Sequence, residues 1–227
     1  MLVLSNHSVG NILFIAIFNS INSLLPTIKI AVMSKGEETK TRILQQAAEL
    51  FNQQGYAGSS MSDIMRVTGL QKGGIYNHFQ SKDDLALQAF DFAIARIKQH
   101  TRFALRSKHH AVERLQTIIG VFSTFAENPP IKGGCPLLNT AVESDDAHPA
   151  LRERAQQAMN SWLHLICRII EKGIEKGEIR PEVSADEIAT IIIATLEGGI
   201  MISKLYGDSI HIHRVINHLI QYLETSL

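Results

Sequence analysis

Hydrophobic positions recur every three or four residues along most of this chain, which is the spacing that places them on one face of an α-helix. No segment shows the alternation of apolar and polar residues that is typical of a half-buried strand. The pattern therefore predicts an all-α fold. In the front part of the chain it predicts helices from Thr39 to Gln54, from Ser60 to Thr68, from about Lys72 to His78 and from Ser81 to about Arg106.

The rear half shows the same periodicity in segments that prolines and glycines separate. The helices predicted there run from Val112 to Ala126, from about Pro136 to Glu143, from Pro149 to about Lys176, from Ser184 to about Tyr206 and from about His211 to Thr225. The predicted architecture is a small three-helix unit that a long fourth helix joins to a larger helical bundle.

The stretch from Ser60 to Phe79 has the layout of a helix-turn-helix, which is a short helix, a glycine turn and a second very short helix. Ser60 and Asp63 have the spacing of a capping box, and Gly69 stands where a left-handed turn ends the first of the two helices. The residues left facing outward are Gln71, Lys72, Gly73, Gly74, Tyr76, Asn77 and His78. They are donors, flat rings and glycines without an acid, a face that suits phosphates and base edges.

The segment from Glu37 to about Ile97 resembles the DNA-binding domain of the TetR (tetracycline-repressor-like) family of bacterial regulators. The strings that carry the resemblance are TRILQQAAELFNQQGYAGSSMSDI and GLQKGGIYNHFQSKDDL. Three positions depart from the usual family pattern: Gln71 replaces Ser or Thr, Gly74 replaces Thr, Ser or Ala, and Met65 replaces Ala. These departures leave the fold prediction intact, but Gln71 and Gly74 bear on which operator is read.

The resemblance and the chemistry of the side chains together suggest roles for individual residues of the helix-turn-helix, which we call the reading head. Tyr76 and His78 match positions that contact phosphates, Lys72 suits phosphate or guanine, and Asn77 is the best candidate for a base edge. The predicted DNA-binding residues are Thr39, Lys40, Ser60, Met61, Gln71, Lys72, Gly73, Gly74, Tyr76, Asn77, His78 and Lys82. The alternative for Tyr76 and His78 is that they are only solvated or packed.

A single reading head contacts too little DNA for operator affinity, so we expect a homodimer on a palindromic or near-palindromic operator, with heads about 34–36 Å apart. The last two predicted helices are the expected dimer faces, a choice that the resemblance supports. Gly198 and Gly199 would let helices approach closely there. The alternative is that both helices face only their own core.

The rear half is expected to hold a cavity for an unknown small-molecule effector. Its predicted lining is Phe122, Phe125, Cys135, Met159, Trp162 and Leu196, although the same residues would also fill an ordinary core. Cys135 follows two glycines and precedes a predicted helix, where a helix N-terminus lowers a thiol pKa. One hypothesis is that Cys135 senses electrophiles or oxidants, and the alternative is a small buried residue. Cys167 is predicted to be inert.

Charge and cysteine usage narrow the class of protein. Residues 33–110 carry 11 basic and 7 acidic side chains, whereas residues 111–227 carry 10 basic and 15 acidic ones. This asymmetry fits a DNA-facing front half and a rear half held away from phosphate. The two cysteines lie far apart without CxxC spacing, which favours neither a disulfide scaffold nor a zinc site and fits a reducing cytoplasm.

No pattern in the chain indicates catalysis, a metal site or a cofactor. The only acid cluster is Glu143, Asp145 and Asp146, which is predicted to be a solvated link before Pro149. His211 and His213 are two residues apart, so on a helix their rings do not share a face. We therefore expect no enzyme activity, no metal and no cofactor.

Residues 1–32 differ from the rest because they contain no acid and a single base, Lys29. The apolar run from Ile12 to Phe18 is too short for a membrane span and lacks the positive start of a signal peptide. We expect Met33 to be the true start, with the upstream stretch a gene-start artefact. The alternative is a hydrophobic extension that attaches to a membrane or docks on a partner.

These observations predict three parts: the atypical extension 1–32, a TetR-type DNA-binding domain over 33–97, and a helical effector-binding and dimerisation domain over 98–227. The expected function is a cytoplasmic homodimeric repressor that a small molecule or a thiol modification releases from its operator. The alternative is an architectural or chromosome-organising DNA-binding protein that uses the same domain without a small effector.

Overall fold

The protein is described here by a computed structural model that covers residues 34–144 and 147–227. Within those residues all regular structure is helical, which confirms the all-α prediction. The helices are α1 (Lys35–Gln54), α2 (Met61–Thr68), α3 (Lys72–Tyr76), α4 (Lys82–Ala104), α5 (Ala111–Val121), α6 (Thr124–Glu127), α7 (Pro136–Ser144), α8 (Pro149–Glu175), α9 (Ala185–Tyr206) and α10 (Ile210–Ser226).

The chain divides into two compact units, residues 1–38 and residues 39–227. In the first unit only residues 34–38 are described, so the predictions for residues 1–32 lie outside the described part. Ser34 and Glu37 form a capping box, in which the Glu37 amide donates to Ser34 Oγ (3.2 Å) and the Ser34 amide donates to Glu37 Oε2 (2.8 Å). This box explains why α1 begins at Lys35 rather than at Thr39.

Serine caps set the beginnings of three other helices as predicted. Ser60, Ser81 and Ser184 each accept a hydrogen bond from the backbone amide three residues further on, at the starts of α2, α4 and α9.

The predicted single helix from Val112 to Ala126 is wrong, because α5 ends at Val121 and a separate short helix follows. Two hydroxyls compete for backbone carbonyls at the break: Ser123 Oγ donates to Gly120 O (2.8 Å) and Thr124 Oγ1 donates to Val121 O (2.7 Å).

Residues 39–227 contain two hydrophobic cores, and α4 contributes to both. Leu85, Ala89 and Ala93 pack in the front core with α1, α2 and α3. Phe90 and Ile97 of the same helix pack in the rear core with the bundle. The predicted domain boundary at residues 97 and 98 therefore falls inside one continuous helix, and a shift of α4 would act on both cores.

Helix α9 is the most apolar helix of the described residues, and it is long and apolar enough by composition alone to cross a membrane. Half of that apolar window is nevertheless buried inside the structure. Ile192 and Leu196 are fully buried between α8 and α10, and Gly199 lies so close to α10 that a Cβ there would meet Ile212 Cδ1 at 2.9 Å. The pattern is that of a core helix in a bundle.

Candidate nucleic-acid interface

The helix-turn-helix is fixed by local hydrogen bonds at its first helix. The Asp63 amide donates to Ser60 Oγ (3.1 Å), and the Ser60 amide donates to Asp63 Oδ2 (3.0 Å), so the predicted capping box is confirmed. The hydrogen bonds from Ser60, with a smaller contribution from Arg66, lower the pKa of Asp63 to about 2. Gly69 ends α2 with φ of 66°, the left-handed conformation that favours glycine.

Packing then fixes the orientation of the reading helix α3. Ile75 and Phe79 are each only 1% exposed and lie in the front core with Ile64. Because these two residues face inward, the remaining positions of α3 must face away from the core. Ile75 and Phe79 therefore close the front core from the far side of the glycine turn.

The outward surface of the reading head has the residues that the sequence predicts. Gln71, Lys72, Gly73, Tyr76 and Asn77 are exposed, whereas Gly74 and His78 are half-buried. Lys72 Nζ lies 5.7 Å from the centroid of the Tyr76 ring, which places a cation beside a flat ring on this surface. Such a face can bind phosphate oxygens and base edges.

The two glycines of α3 are not required by the packing of the protein. A Cβ at Gly73 would meet nothing within 4 Å, and a Cβ at Gly74 would make an ordinary contact of 3.7 Å with Leu70 Cβ. Neither residue has a positive φ. Glycine within a helix is destabilising relative to alanine, so the stability of the fold does not explain a glycine at position 73.

The residues at α1 and α2 that are predicted to contact DNA differ in their exposure. Ser60 is exposed, but its hydroxyl also donates to Asp63 Oδ2 (2.6 Å). Met61 is half-buried and packs against the front core. Thr39 and Lys40 are half-buried as well, and Lys40 Nζ lies 5.5 Å from the Phe79 ring centroid.

Lys82 is predicted from the sequence to bind phosphate, but its ammonium is engaged within the protein. Lys82 Nζ donates to the carbonyl oxygen of Tyr56 (2.7 Å) and lies 4.1 Å from the Tyr56 ring centroid. The Tyr56 hydroxyl donates to Asp83, and burial together with that carboxylate raises the pKa of Tyr56 to about 12. Lys82 therefore ties the start of α4 to the loop between α1 and α2.

Two family models match this chain. One, described as bacterial regulatory proteins of the tetR family, covers residues 43–89. The other, described as the tetracyclin repressor-like C-terminal domain, covers residues 111–219. A TetR transcriptional regulator from Chloroflexus aurantiacus is 46% identical, with a TM-score of 0.83, over 86% of this chain and 98% of that chain. The chain belongs to the TetR family.

Curated relatives agree with this TetR-family assignment. The HTH-type transcriptional repressor BepR from Brucella suis is 27% identical over 84% of this chain and 94% of its own length. The HTH-type transcriptional repressor DhaR from Mycobacterium sp. is 25% identical over 73% of this chain and 82% of its own length. The protein is therefore a DNA-binding transcriptional regulator.

Glu143 joins the bundle to the loop that precedes the reading head of this TetR-family protein. The sequence predicts a solvated acid there, and that prediction is wrong. Glu143 lies in α7 and accepts hydrogen bonds from the backbone amides of Tyr56 and Ala57, each 2.8 Å long. Asp145 and Asp146, the other two acids of the predicted cluster, lie outside the described residues.

Asn52 and Asn139 form a second junction, which the sequence analysis missed. Asn52 Nδ2 donates to the carbonyl oxygens of Lys132 (2.9 Å) and Gly134 (3.1 Å). Asn139 Nδ2 in turn donates to Asn52 Oδ1 (2.7 Å). These amides hold the end of α1 against the loop that leads into α7. The asparagines alone carry no sequence signal for this contact, although the glycine pair next to them marks an unusual backbone.

The six residues predicted to line an effector cavity are mostly packed core. Phe122, Phe125, Cys135 and Leu196 are at most 4% exposed, and Phe122 contacts Trp162 with ring centroids 5.8 Å apart. Trp162 lines one pocket of about 430 Å³. The other five line neither this pocket nor the three others described for the structure, so the predicted lining stays a prediction for them.

Cys135 is placed as predicted, directly before α7, but its predicted low pKa is wrong. Burial and the nearby Glu197 carboxylate raise the thiol pKa well above its ordinary value, and they outweigh hydrogen bonds from the Leu137 and Leu138 amides that act in the other direction. Cys135 Sγ donates to Glu197 Oε1 (3.1 Å). A buried neutral thiol is a poor nucleophile, so the physical ground for an electrophile sensor is lost.

Glu197 and Cys167 complete the buried titratable groups of the bundle. Glu197 is 8% exposed, and burial raises its pKa to about 7 despite the hydrogen bond from Cys135. Its Oε2 has no hydrogen-bond partner among the described residues. Cys167 is also buried, and burial together with Asp186 raises its pKa to about 11, as expected for an inert thiol.

Proposed function

We propose that this TetR-family regulator is a cytoplasmic homodimeric repressor that a small molecule releases from a palindromic or near-palindromic operator. The observation that carries the DNA contact is the acid-free surface of α3, where Gly73 and Gly74 have no packing role. On this proposal Lys72 and Tyr76 bind phosphates, and Asn77 reads a base edge in the major groove. The proposal that this regulator represses transcription rests on its relatives BepR and DhaR, which are described as transcriptional repressors.

The outer face of α9 supports a dimer. Ala194, Gly198, Met201 and Leu205 follow one another at helical spacing on its exposed side, and Met201 and Leu205 are 54% and 77% exposed. A Cβ at Gly198 would meet nothing within 4 Å, so this glycine leaves room for another helix. Gly199, in contrast, packs against α10 of its own chain. A two-fold axis beside α9 would bury the apolar stripe against its copy.

Release of the operator requires that an effector bound in the bundle changes the position of the reading head. Helix α4 carries residues of both cores, and the junctions at Glu143 and Asn52 attach α7 and its loop to the end of α1. An effector that binds better when the two heads have the wrong spacing would shift the dimer away from DNA. A preference of several kcal/mol is needed to empty most of the operator.

The proposal is tested by selecting bound duplexes from a random-sequence library with the full chain, followed by gel-shift titration of the selected site. We expect two inverted half-sites about one helical turn apart, and a loss of binding for Lys72→Ala combined with Tyr76→Ala. Arg152→Gln, an exposed cation on α8, serves as the matched control. Unchanged binding of the double variant would refute the assignment of the reading surface.

An architectural DNA-binding protein would give another result in the same selection. It would recover duplexes without a common palindrome and would occupy many sites across a genome. No observation on the bundle favours that function, and the pocket beside Trp162 favours an effector.

A further inference from the structure

A basic cleft runs along α8 on the side of the bundle that faces α4 and α5. Its first part is a pocket of about 430 Å³ between the end of α4 and the middle of α8. Its second part is a pocket of about 550 Å³ between the start of α5 and the last turns of α8. The two parts share Arg114, Ser161 and Leu165, so they form one continuous groove.

Cations without acidic partners gather around this basic cleft. Lys98, Arg102 and Arg114 line the first part, and Arg168 and Lys172 line the second. None of these five has an ion pair within residues 34–144 and 147–227, whereas Glu178, an acid that also lines the second part, pairs with Lys176 (3.9 Å). Three of them, Arg114, Arg168 and Lys172, belong to residues 111–227, which carry an excess of acids. Like charges repel one another, so such a cluster favours a negatively charged ligand.

Arg114 is held in position at the point where the two parts of the cleft meet. Its Nη1 donates to the carbonyl oxygen of Lys108 (2.9 Å), and the side chain is half-buried. A guanidinium that is fixed in this way keeps other donors for a ligand and loses less conformational freedom when it binds an anion.

The floor of the first part is apolar and contains one unpaired hydroxyl. Trp162 and Leu105 are 6% and 7% exposed, and Leu165 is half-buried beside them. Thr101 also lines this part and is 2% exposed, yet its Oγ1 has no hydrogen-bond partner among the described residues. Buried polar atoms are normally paired, so this hydroxyl is an unused hydrogen-bonding group that a polar atom of a ligand can satisfy.

We infer that the basic cleft binds an organic anion with an apolar body, such as an aliphatic carboxylate or phosphate ester. Lys98, Arg102 and Arg114 hold the anionic group, while Trp162 and Leu165 contact the apolar body. This inference rests on the proposed effector-released function and names the chemical class of its effector. Because Lys98, Thr101 and Arg102 belong to α4, the ligand acts directly on the helix that both cores share.

The chain offers an internal probe for this site, because Trp162 is its only tryptophan. Emission from Trp162 is recorded while the full chain is titrated with decanoate, decyl phosphate, decyltrimethylammonium or decanol, each below its aggregation threshold. We expect saturable changes with an anionic probe, and the head group that binds more tightly identifies the carboxylate or the phosphate as the source. Equal binding of the cationic or the neutral probe would overturn the inference.

Variants locate the binding and separate it from the regulatory function. Arg102→Gln and Arg114→Gln should each weaken the anionic probe about tenfold, the loss of a charged contact of about 1.4 kcal/mol. Thr101→Val should weaken it less, and Arg152→Gln on the same helix as Trp162 should leave it unchanged. Unaltered affinity in both arginine variants would refute the site.

A gel-shift with the selected operator then completes the experiment. If an anionic probe binds the cleft but leaves operator binding intact, the cleft stands and the proposed release fails. If operator binding is normal and no anionic probe changes the Trp162 emission, the cleft fails while the DNA-binding function stands.

Discussion

Glu197→Gln tests the buried acid in the middle of the bundle. The substitution preserves the shape of the side chain and an oxygen that accepts from Cys135 Sγ, whose distance to Glu197 Oε1 is 3.1 Å. It removes only the ability to ionise. In the native chain Glu197 is 8% exposed, and burial raises its pKa from 4.5 to about 7. The unfolded chain titrates near the ordinary value because its carboxyl is solvated.

The sign of the effect follows from this order of pKa values. Below pH 4.5 the carboxyl is protonated in both states, and its full contribution to stability is present. As the pH rises towards 7, the unfolded chain releases the proton while the folded chain retains it, so the free energy of unfolding falls. Each pH unit between the two values corresponds to about 1.4 kcal/mol, which gives a total loss of about 3 kcal/mol.

The assay is urea unfolding at fixed protein concentration, because the stability of a dimer depends on concentration. Wild type, Glu197→Gln and the exposed control Glu224→Gln are compared between about pH 5 and pH 8. We expect wild type and Glu224→Gln to lose stability relative to Glu197→Gln by about 2–3 kcal/mol over that range. Parallel profiles for all three proteins would refute the reasoning, since they would mean that Glu197 is ionised and adequately solvated in the folded chain.

Three further predictions follow from the contacts described. Gly73→Ala should raise the free energy of unfolding by about 0.5–1 kcal/mol, because its Cβ meets nothing, yet weaken operator binding about tenfold in a gel-shift; tighter binding would contradict the close approach of α3 to DNA. Glu143→Gln should lower the free energy of unfolding by about 1–2 kcal/mol, since two amides lose a charged acceptor, whereas Glu153→Gln on the surface of α8 should not. Cys135 should resist iodoacetamide at neutral pH in the folded chain, as mass spectrometry of labelled peptides would show; rapid labelling would restore the sensor hypothesis.

The parts of the structure that the sequence predicts correctly are set by neighbours along the chain. Ser60 with Asp63, Gly69 and the spacing of Ile75 and Phe79 determine the helix-turn-helix through contacts within a few residues. Helix periodicity, caps and glycine turns are local effects, so a single sequence contains the information that they require. The same holds for the outward face of α3, which is defined once two positions are known to face the core.

The errors arise where distant residues meet. The environment of Cys135 depends on Glu197, which is 62 residues away, and the helix-terminus effect alone predicts the opposite direction for the thiol pKa. Glu143 resembles a solvated acid in the sequence because its partners, the Tyr56 and Ala57 amides, are backbone groups that carry no sequence signal. The lining of an effector cavity is beyond the sequence for a related reason, since periodicity identifies buried faces but cannot distinguish a filled core from a pocket.

The segment from Ile131 to Cys135 is a second connection, besides α4, between the reading head and the bundle. Ile131 is buried in the front core, and Cys135 is buried in the rear core. Between them Gly133 has φ of 113°, and a Cβ there would lie 2.7 Å from the carbonyl oxygen of Asn52. Because this segment is short, is anchored at both ends and packs against α1, its two ends can move very little relative to each other. A displacement of α7 must therefore move Ile131 or break the Asn52 hydrogen bonds, so an effector can reach the reading head through this segment as well as through α4.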